Sequence, residues 1–172
     1  YNLSHIDCIV VVGAGKASAR MAQALETALG PRLDDGLVIV KTGHTLATKQ
    51  ITVLEASHPI PDRAGLHATQ RLLRLTQCLT PRDLLIVLLS GGASSLLPAP
   101  VAGVTLADKQ RTTRLLLRSG ATINEINVVR KHLSLIKGGG LATSTQARIV
   151  TLLLSDVIGD DLGSIGSGPT AA

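Results

Sequence analysis

The stretch Ile6-Asp7-Cys8-Ile9-Val10-Val11-Val12-Gly13-Ala14-Gly15-Lys16-Ala17-Ser18 decides how the rest of the chain is read. A run of β-branched residues breaks at a glycine turn, and helical spacing follows at once. From Ser18 to Leu29 the apolar positions are Met21, Ala22, Leu25 and Leu29. They fall three and four residues apart, the period of a helix with one buried face. The run Ile9–Val12 does not alternate apolar with polar. A strand buried on one face alternates; a strand buried on both does not, as in a parallel sheet covered by helices on either side. Strand, glycine turn and helix therefore read as the opening of a crossover unit.

The unit recurs downstream. With Ile6–Val12 as the first strand, further apolar runs lie at Leu37–Lys41, Ile51–Glu55, Leu84–Leu89 and Arg148–Leu154. Asp62 is placed to cap a helix carrying Leu66, Leu72, Leu73 and Leu79. Thr105, with Asp108 three residues on, opens another that runs to about Ser119. Thr122 and Glu125 form a second such pair, and their helix is expected to run to Lys137 and stop at Gly138-Gly139-Gly140. Alternating strands and helices predict an α/β fold: a doubly wound, three-layer α/β/α sandwich with a mainly parallel, Rossmann-like sheet. Repeats are absent, and residues 1–172 read as one domain. The first strand starts close to Tyr1 and the residues from Gly163 to Ala172 are loop-like, so both ends read as cut from a longer chain.

A chain of 172 residues that is 45% hydrophobic can bury a core and is too apolar for disorder. Tyr1 is its only Phe, Tyr or Trp, which removes the stacking platforms that single-stranded nucleic acids need. Seventeen basic residues against twelve acids give a net charge of +5. They are scattered, which favours a small anion over nucleic acid or a membrane as the partner. Cys8 and Cys78 lie far apart in apolar-looking segments and read as buried free thiols of a reducing compartment. No run approaches the ~18 apolar residues of a membrane helix, and no signal-peptide pattern is present. A soluble, cytoplasmic protein is expected.

Ligands of open α/β sheets bind beyond the carboxyl ends of the strands. Gly13-Ala14-Gly15-Lys16 begins like a dinucleotide fingerprint. Ser18, however, stands where the third glycine belongs, and Lys41 where a ribose-binding acid belongs. It is no P-loop either, because Val10 occupies the position of the upstream glycine. Two readings remain: an anion site made of free backbone N–H groups, the helix dipole and the Lys16 ammonium, or a tight turn with a solvated lysine. Ser90-Gly91-Gly92-Ala93-Ser94-Ser95 can offer N–H and O–H donors to phosphoryl or carboxylate oxygens. Asn124, Asn127, Lys131 and Ser134 share a face of their helix, either to meet a ligand with Asn127 and Lys131 or as an ordinary exposed face. Asp156, at the end of the last strand, is the metal candidate, since Mg²⁺ takes one or two carboxylates beside phosphate oxygens. Asp160 and Asp161 read as turn caps. His58, in a loop whose shape Pro59 and Pro61 fix, is either structural or a ligand contact. Lys16, the glycine-serine loop, Asn127, Lys131 and Asp156 together suit phosphoryl transfer. The lack of a His–acid pair weakens hydrolase readings.

Five motifs carry a resemblance over nearly the whole chain. They are Val12-Gly13-Ala14-Gly15-Lys16-Ala17, His58-Pro59-Ile60-Pro61-Asp62, Leu89-Ser90-Gly91-Gly92-Ala93-Ser94-Ser95-Leu96, Asn127-Val128-Val129-Arg130-Lys131-His132-Leu133-Ser134 with Lys137-Gly138-Gly139, and Ser155-Asp156-Val157-Ile158-Gly159-Asp160 with Ser167-Gly168-Pro169-Thr170. In this order they resemble the large domain of the bacterial and animal glycerate 2-kinases, many of which carry an older hydroxypyruvate reductase label. Ser57 departs from the glycine that often precedes His-Pro in that family. The resemblance implies ATP- and Mg²⁺-dependent phosphorylation of D-glycerate at the 2-hydroxyl, with Lys16 acting at the transferring phosphoryl group. It implies substrate or nucleotide contacts at Gly13, Gly15, Ser90, Gly91, Gly92, Ser94, Ser95, Asn127 and Lys131. It also implies a second, smaller C-terminal domain that supplies an essential arginine and closes the active-site cleft. These 172 residues alone are then expected to be nearly inactive, and apolar surface left bare could pair two copies. Two rival readings stand beside this one: an NAD(P)H-dependent hydroxypyruvate reductase, and a non-catalytic module that binds a sugar acid or phosphate.

Overall fold

The apolar runs become strands and the periodic segments helices in a computed structural model that describes residues 3–155, 157 and 159–171. In chain order the elements are β1 (Ile9–Ala14), α1 (Ser18–Leu29), β2 (Asp35–Lys41), β3 (Ile51–Ala56), α2 (Arg63–Gln77), β4 (Leu84–Ser90), α3 (Ala93–Leu96), α4 (Leu106–Arg118), α5 (Ile123–His132), α6 (Gly140–Thr143) and β5 (Arg148–Leu154). All neighbouring strands pair in parallel in the order β3-β2-β1-β4-β5. The chain works outward from β1 to β3, then returns to lay β4 on the other side of β1. The loops after β1 and β4 thus flank the point where strand order reverses, the usual ligand crevice of such sheets.

The strands lack alternation because each face of the sheet has its own core. Val10, Val12, Leu37, Ile39, Leu85, Val87 and Leu89 pack with Ala68 and Leu72 of α2, Leu96 of α3 and Leu141 of α6. Their strand neighbours Ile9, Val11, Val38, Leu84, Ile86 and Leu88 pack on the other face with Ala22 of α1. Three layers result, and the central strand β1 is buried along its whole length. Among the described residues no helix is long and apolar enough to cross a membrane.

The helix starts sit where their capping residues place them. Asp62 accepts from the Gly65 N–H at 2.8 Å, and both Thr105/Asp108 and Thr122/Glu125 close reciprocal capping boxes. Two expectations fail. The helix opened by Thr122 ends at His132 instead of Lys137. Leu135 turns away to donate its N–H to Ala99 at 2.8 Å, and Ser134 bridges Pro100 in antiparallel fashion. These β-type contacts replace the last helical turn. Cys8 and Cys78 are free, but neither is buried: Cys78 is exposed and Cys8 is half-buried.

Candidate functional site

The turn after β1 is tied down by its own backbone. Gly15 donates its N–H to Ile39 at 3.1 Å, Lys16 to Gly91 at 2.9 Å, and Ser18 to Gly15 at 3.2 Å. Ala17 donates to the Ser90 hydroxyl at 3.0 Å. The N–H groups of Gly15, Lys16, Ala17 and Ser18 are therefore already used, which overturns the reading of the glycine turn itself as a free backbone nest. Gly13 and Gly15 are explained by packing instead. A side chain at Gly13 would press on the Leu88 carbonyl, and one at Gly15 on the end of Ser90. The Lys16 side chain is exposed and leans over Gly92, its Cε 3.6 Å from where a Gly92 Cβ would stand. His58 shares that spot, with Nε2 3.1 Å from the same point. Burial, then the charges of Lys16, Lys41 and Arg130, hold its imidazole below the usual histidine pKa, so it favours the neutral form.

A cleft of about 600 Å³ opens beside these residues. One wall is His58, Pro59 and the loop Gly91–Ser95; the other comes from α4, α5 and the terminal loop through Thr113, Asn127, Arg130, Val157 and Ser164. The serines of the loop are wired into the fold. Ser90 accepts from Ala17, and Ser95 donates to the Gly92 carbonyl at 3.1 Å. Ser94 meets the Ser167 hydroxyl at 2.7 Å, and Ser167 in turn donates to Asn127 Oδ1 at 3.1 Å. Ser167 is fully buried with φ at +64°, a conformation uncommon for a residue with a side chain. Its hydroxyl joins three segments distant in sequence: α3, α5 and the terminal loop.

Behind the cleft lie basic side chains with no acid beside them among the described residues. The Lys109 ammonium, 7% exposed, donates to the Leu133 carbonyl at 2.8 Å. Lys137, 4% exposed, donates to Ser94 at 2.7 Å and to Leu97 at 3.2 Å. Arg130 lines both the cleft and the small cavity that these two lysines share. Burial lowers the pKa of all three, and for the two lysines the neighbouring charge of Arg130 adds to it. Among the described residues the one ion pair, Arg82 with Asp7, is exposed and involves none of these groups.

Lys109 makes this arrangement measurable. Its pKa falls from 10.5 to about 8, so between those values the unfolded chain holds a proton that the folded chain has released. Stability therefore rises with pH across the window, by up to about 1.4 kcal/mol per pH unit. Between pH 8.5 and 9.5 the parent should gain about 1 kcal/mol of unfolding free energy over Lys109→Met. The Cys8 thiol, pushed up from 9.0 to about 11 mainly by burial, works in the opposite sense above pH 9 but is common to both proteins. Urea titrations that stay parallel across this window would place Lys109 in solvent.

Of the residues singled out from the sequence, Gly91, Gly92, Ser94, Ser95 and Asn127 line the cleft, with Ser90 behind them and Lys16 over Gly92. Lys131 does not share the cleft wall with Asn127. Its stem packs against Gly138, with Cδ 3.5 Å from a Cβ position there. Asp156 lies outside the described residues, while its neighbour Val157 lines the cleft. Among those residues no cluster of three His, Cys, Asp or Glu side chains is placed to hold a metal. Sequence reasoning missed Lys109, Arg130 and Lys137. Arg130 could have been found, since it stands three residues after Asn127 and shares its helix face. Nothing in the sequence marks Lys109 as buried.

The fold and about half of the sequence recur in known proteins. The chain is 52% identical to a protein of Agrobacterium vitis provisionally named hydroxypyruvate reductase, over 95% of this chain and 43% of the relative. It is 45% identical to the D-glycerate 2-kinase of Thermotoga maritima, over 96% of this chain and 40% of the relative. A crystal structure of glycerate kinase from Thermotoga maritima matches with a TM-score of 0.91 at 45% identity, covering 96% of this chain and 41% of that one. The chain thus spans about two fifths of the length of these relatives. Residues 1–172 match throughout the family described as Domain of unknown function (DUF4147), and the chain belongs to that family.

Proposed function

We propose that this chain is the nucleotide-fold part of a cytoplasmic enzyme that uses ATP to phosphorylate D-glycerate at its 2-hydroxyl. The observation that carries the reading is the cleft at the strand-order reversal, whose described walls offer cations and neutral donors. Phosphoryl transfer asks the protein mainly to position its reactants and to neutralise charge on the phosphoryl oxygens. The exposed Lys16 ammonium over Gly92 is placed for that task, and the neutral His58 ring beside it adds no competing charge. Mg²⁺ would arrive with the nucleotide and shield its phosphates, with Asp156 proposed as its carboxylate ligand from the sequence alone. The kinase names of relatives at 45% identity support the reading.

Those relatives are more than twice as long as this chain, and turnover is expected only from a chain that carries the remaining part. Exposed Leu117 and Ile123, both at the cleft, belong to the surface proposed to receive that second domain; in isolated 172-residue protein the same surface would favour dimers. The reductase alternative meets a physical obstacle. A dinucleotide pyrophosphate is cradled by the glycine turn that leads into the first helix, and here Gly15, Lys16 and Ala17 of that turn donate their N–H groups internally.

The test uses the longest natural chain containing these residues. One portion receives D-glycerate with MgATP and is followed for ADP; the other receives hydroxypyruvate with NADH or NADPH and is followed for cofactor oxidation. Glycerate-dependent ADP release that drops about 100-fold in Lys16→Ala is the expected result. Cofactor oxidation without ADP release would replace this reading with the reductase.

A further inference from the structure

α5 carries, one turn apart, two side chains on the cleft wall that have only donors to offer. Asn127 is 6% exposed. Its Oδ1 accepts from Ser167, which leaves the amide Nδ2 with no acceptor among the described residues. Arg130 follows three residues later on the same face of the helix and lines the cleft with it. Its guanidinium likewise has no hydrogen-bond or ion-pair partner among the described residues. Both side chains line the cleft with donors that no described acceptor takes up, and polar groups on such a wall ordinarily find partners; they point to a ligand that accepts.

The surroundings define that ligand's charge. Lys109 and Lys137 commit their amino groups to main-chain carbonyls behind Arg130. The cluster therefore holds three basic groups and no described carboxylate, and an anion on Arg130 would offset the cost of burying its guanidinium beside them. The planar fork of a guanidinium matches a carboxylate with two parallel hydrogen bonds. The cleft thus has two cationic poles, Lys16 at Gly92 and Arg130 on α5. Arg130 and Gly92, over which Lys16 leans, line one and the same cleft, so both poles face the space a small molecule would fill. A 2-hydroxyacid carries its carboxylate and hydroxyl on adjacent carbons, and anchoring the first directs the second.

We propose that Arg130, assisted by Asn127, binds the carboxylate of the hydroxyacid and so determines acceptor specificity and which hydroxyl faces the phosphoryl group at Lys16. This rests on the kinase reading above. Arg130 is a specificity-determining contact, distinct from the group that neutralises the phosphoryl oxygens.

The test takes the full natural chain, its Arg130→Gln and Arg130→Lys variants, and calorimetric titration with D-glycerate and separately with MgATP. Arg130→Gln should bind D-glycerate about 100-fold more weakly, with MgATP affinity kept within about threefold as the sign of an intact fold. Arg130→Lys should recover only part of the loss, because an ammonium cannot make the paired hydrogen bonds. Glyceramide, the neutral amide of the same acid, should bind the parent poorly and lose no further affinity in Arg130→Gln. Undiminished D-glycerate binding by Arg130→Gln, or no D-glycerate binding by the parent, overturns the assignment. If the parent binds D-glycerate through Arg130 but releases no ADP, the kinase reading fails and the carboxylate site stands. If the parent turns over and Arg130→Gln matches it in KM for D-glycerate, the reverse holds.

Discussion

Gly15→Ala is expected to destabilise the chain by about 4 kcal/mol and to lower its melting temperature by about 10 °C. Two costs combine. The residue sits at φ +140°, a region open to glycine and strained for anything else, at about 1–3 kcal/mol. The new methyl would also press on the Ser90 hydroxyl and stand 2.6 Å from the Ser90 carbonyl oxygen, an overlap worth about 1–3 kcal/mol more. The backbone cannot easily retreat, because hydrogen bonds to Ile39, Gly91 and Ser90 hold the turn on both sides. Gly43→Ala separates the two costs: φ there is +81°, yet nothing lies within 4 Å of the new atom. It should lose only about 1 kcal/mol. Urea midpoints of the two variants decide the matter. Equal shifts would mean that the β1 turn relaxes and that its close approach to β4 is soft.

That close approach explains what the sequence could and could not reveal. The doubly wound sheet was legible because burial on two faces leaves a mark at every strand position, as Val10, Val11 and Val12 illustrate. Helix starts were legible where a side chain closes a local ring, as Asp62, Thr105 and Thr122 do. The end of α5 was not, since Ser134 and Leu135 leave the helix for Pro100 and Ala99, more than thirty residues upstream. The same limit applied to the site. Gly13-Ala14-Gly15-Lys16-Ala17 has the composition of a phosphate loop, but composition does not say that Ile39, Gly91 and Ser90 accept the N–H groups of Gly15, Lys16 and Ala17. Lys131 and Arg130 are neighbours in sequence, and only the packing of Lys131 over Gly138 assigns the cleft to Arg130. Motifs located the crevice; tertiary hydrogen bonds decided which of their atoms remain free to act.

Lys137→Met is expected to cost about 3 kcal/mol at pH 9 and less at pH 7. Methionine nearly matches the stem in volume, so the loss is one of hydrogen bonds more than of packing. The carbonyls of Ser94 and Leu97 would lose their shared donor inside the protein, and each unsatisfied group costs about 1–3 kcal/mol. The pH trend follows from the depressed pKa. Burial first, then the charges of Arg130 and Lys109, push the Lys137 amine well below its ordinary 10.5. As pH falls from 10.5, the unfolded chain takes up a proton before the folded chain does, and the parent loses stability. The methionine variant has no such term, so the cost of the substitution grows as pH rises toward 10.5. Chemically, a neutral amine has two N–H donors, and the fold supplies two carbonyls to receive them. The tie also bears on the cleft, because it fixes the backbone of Ser94, whose hydroxyl leads through Ser167 to Asn127. Unfolding free energies at pH 7 and pH 9 check the sign: a cost that shrinks with rising pH would show Lys137 held as a cation by an acid.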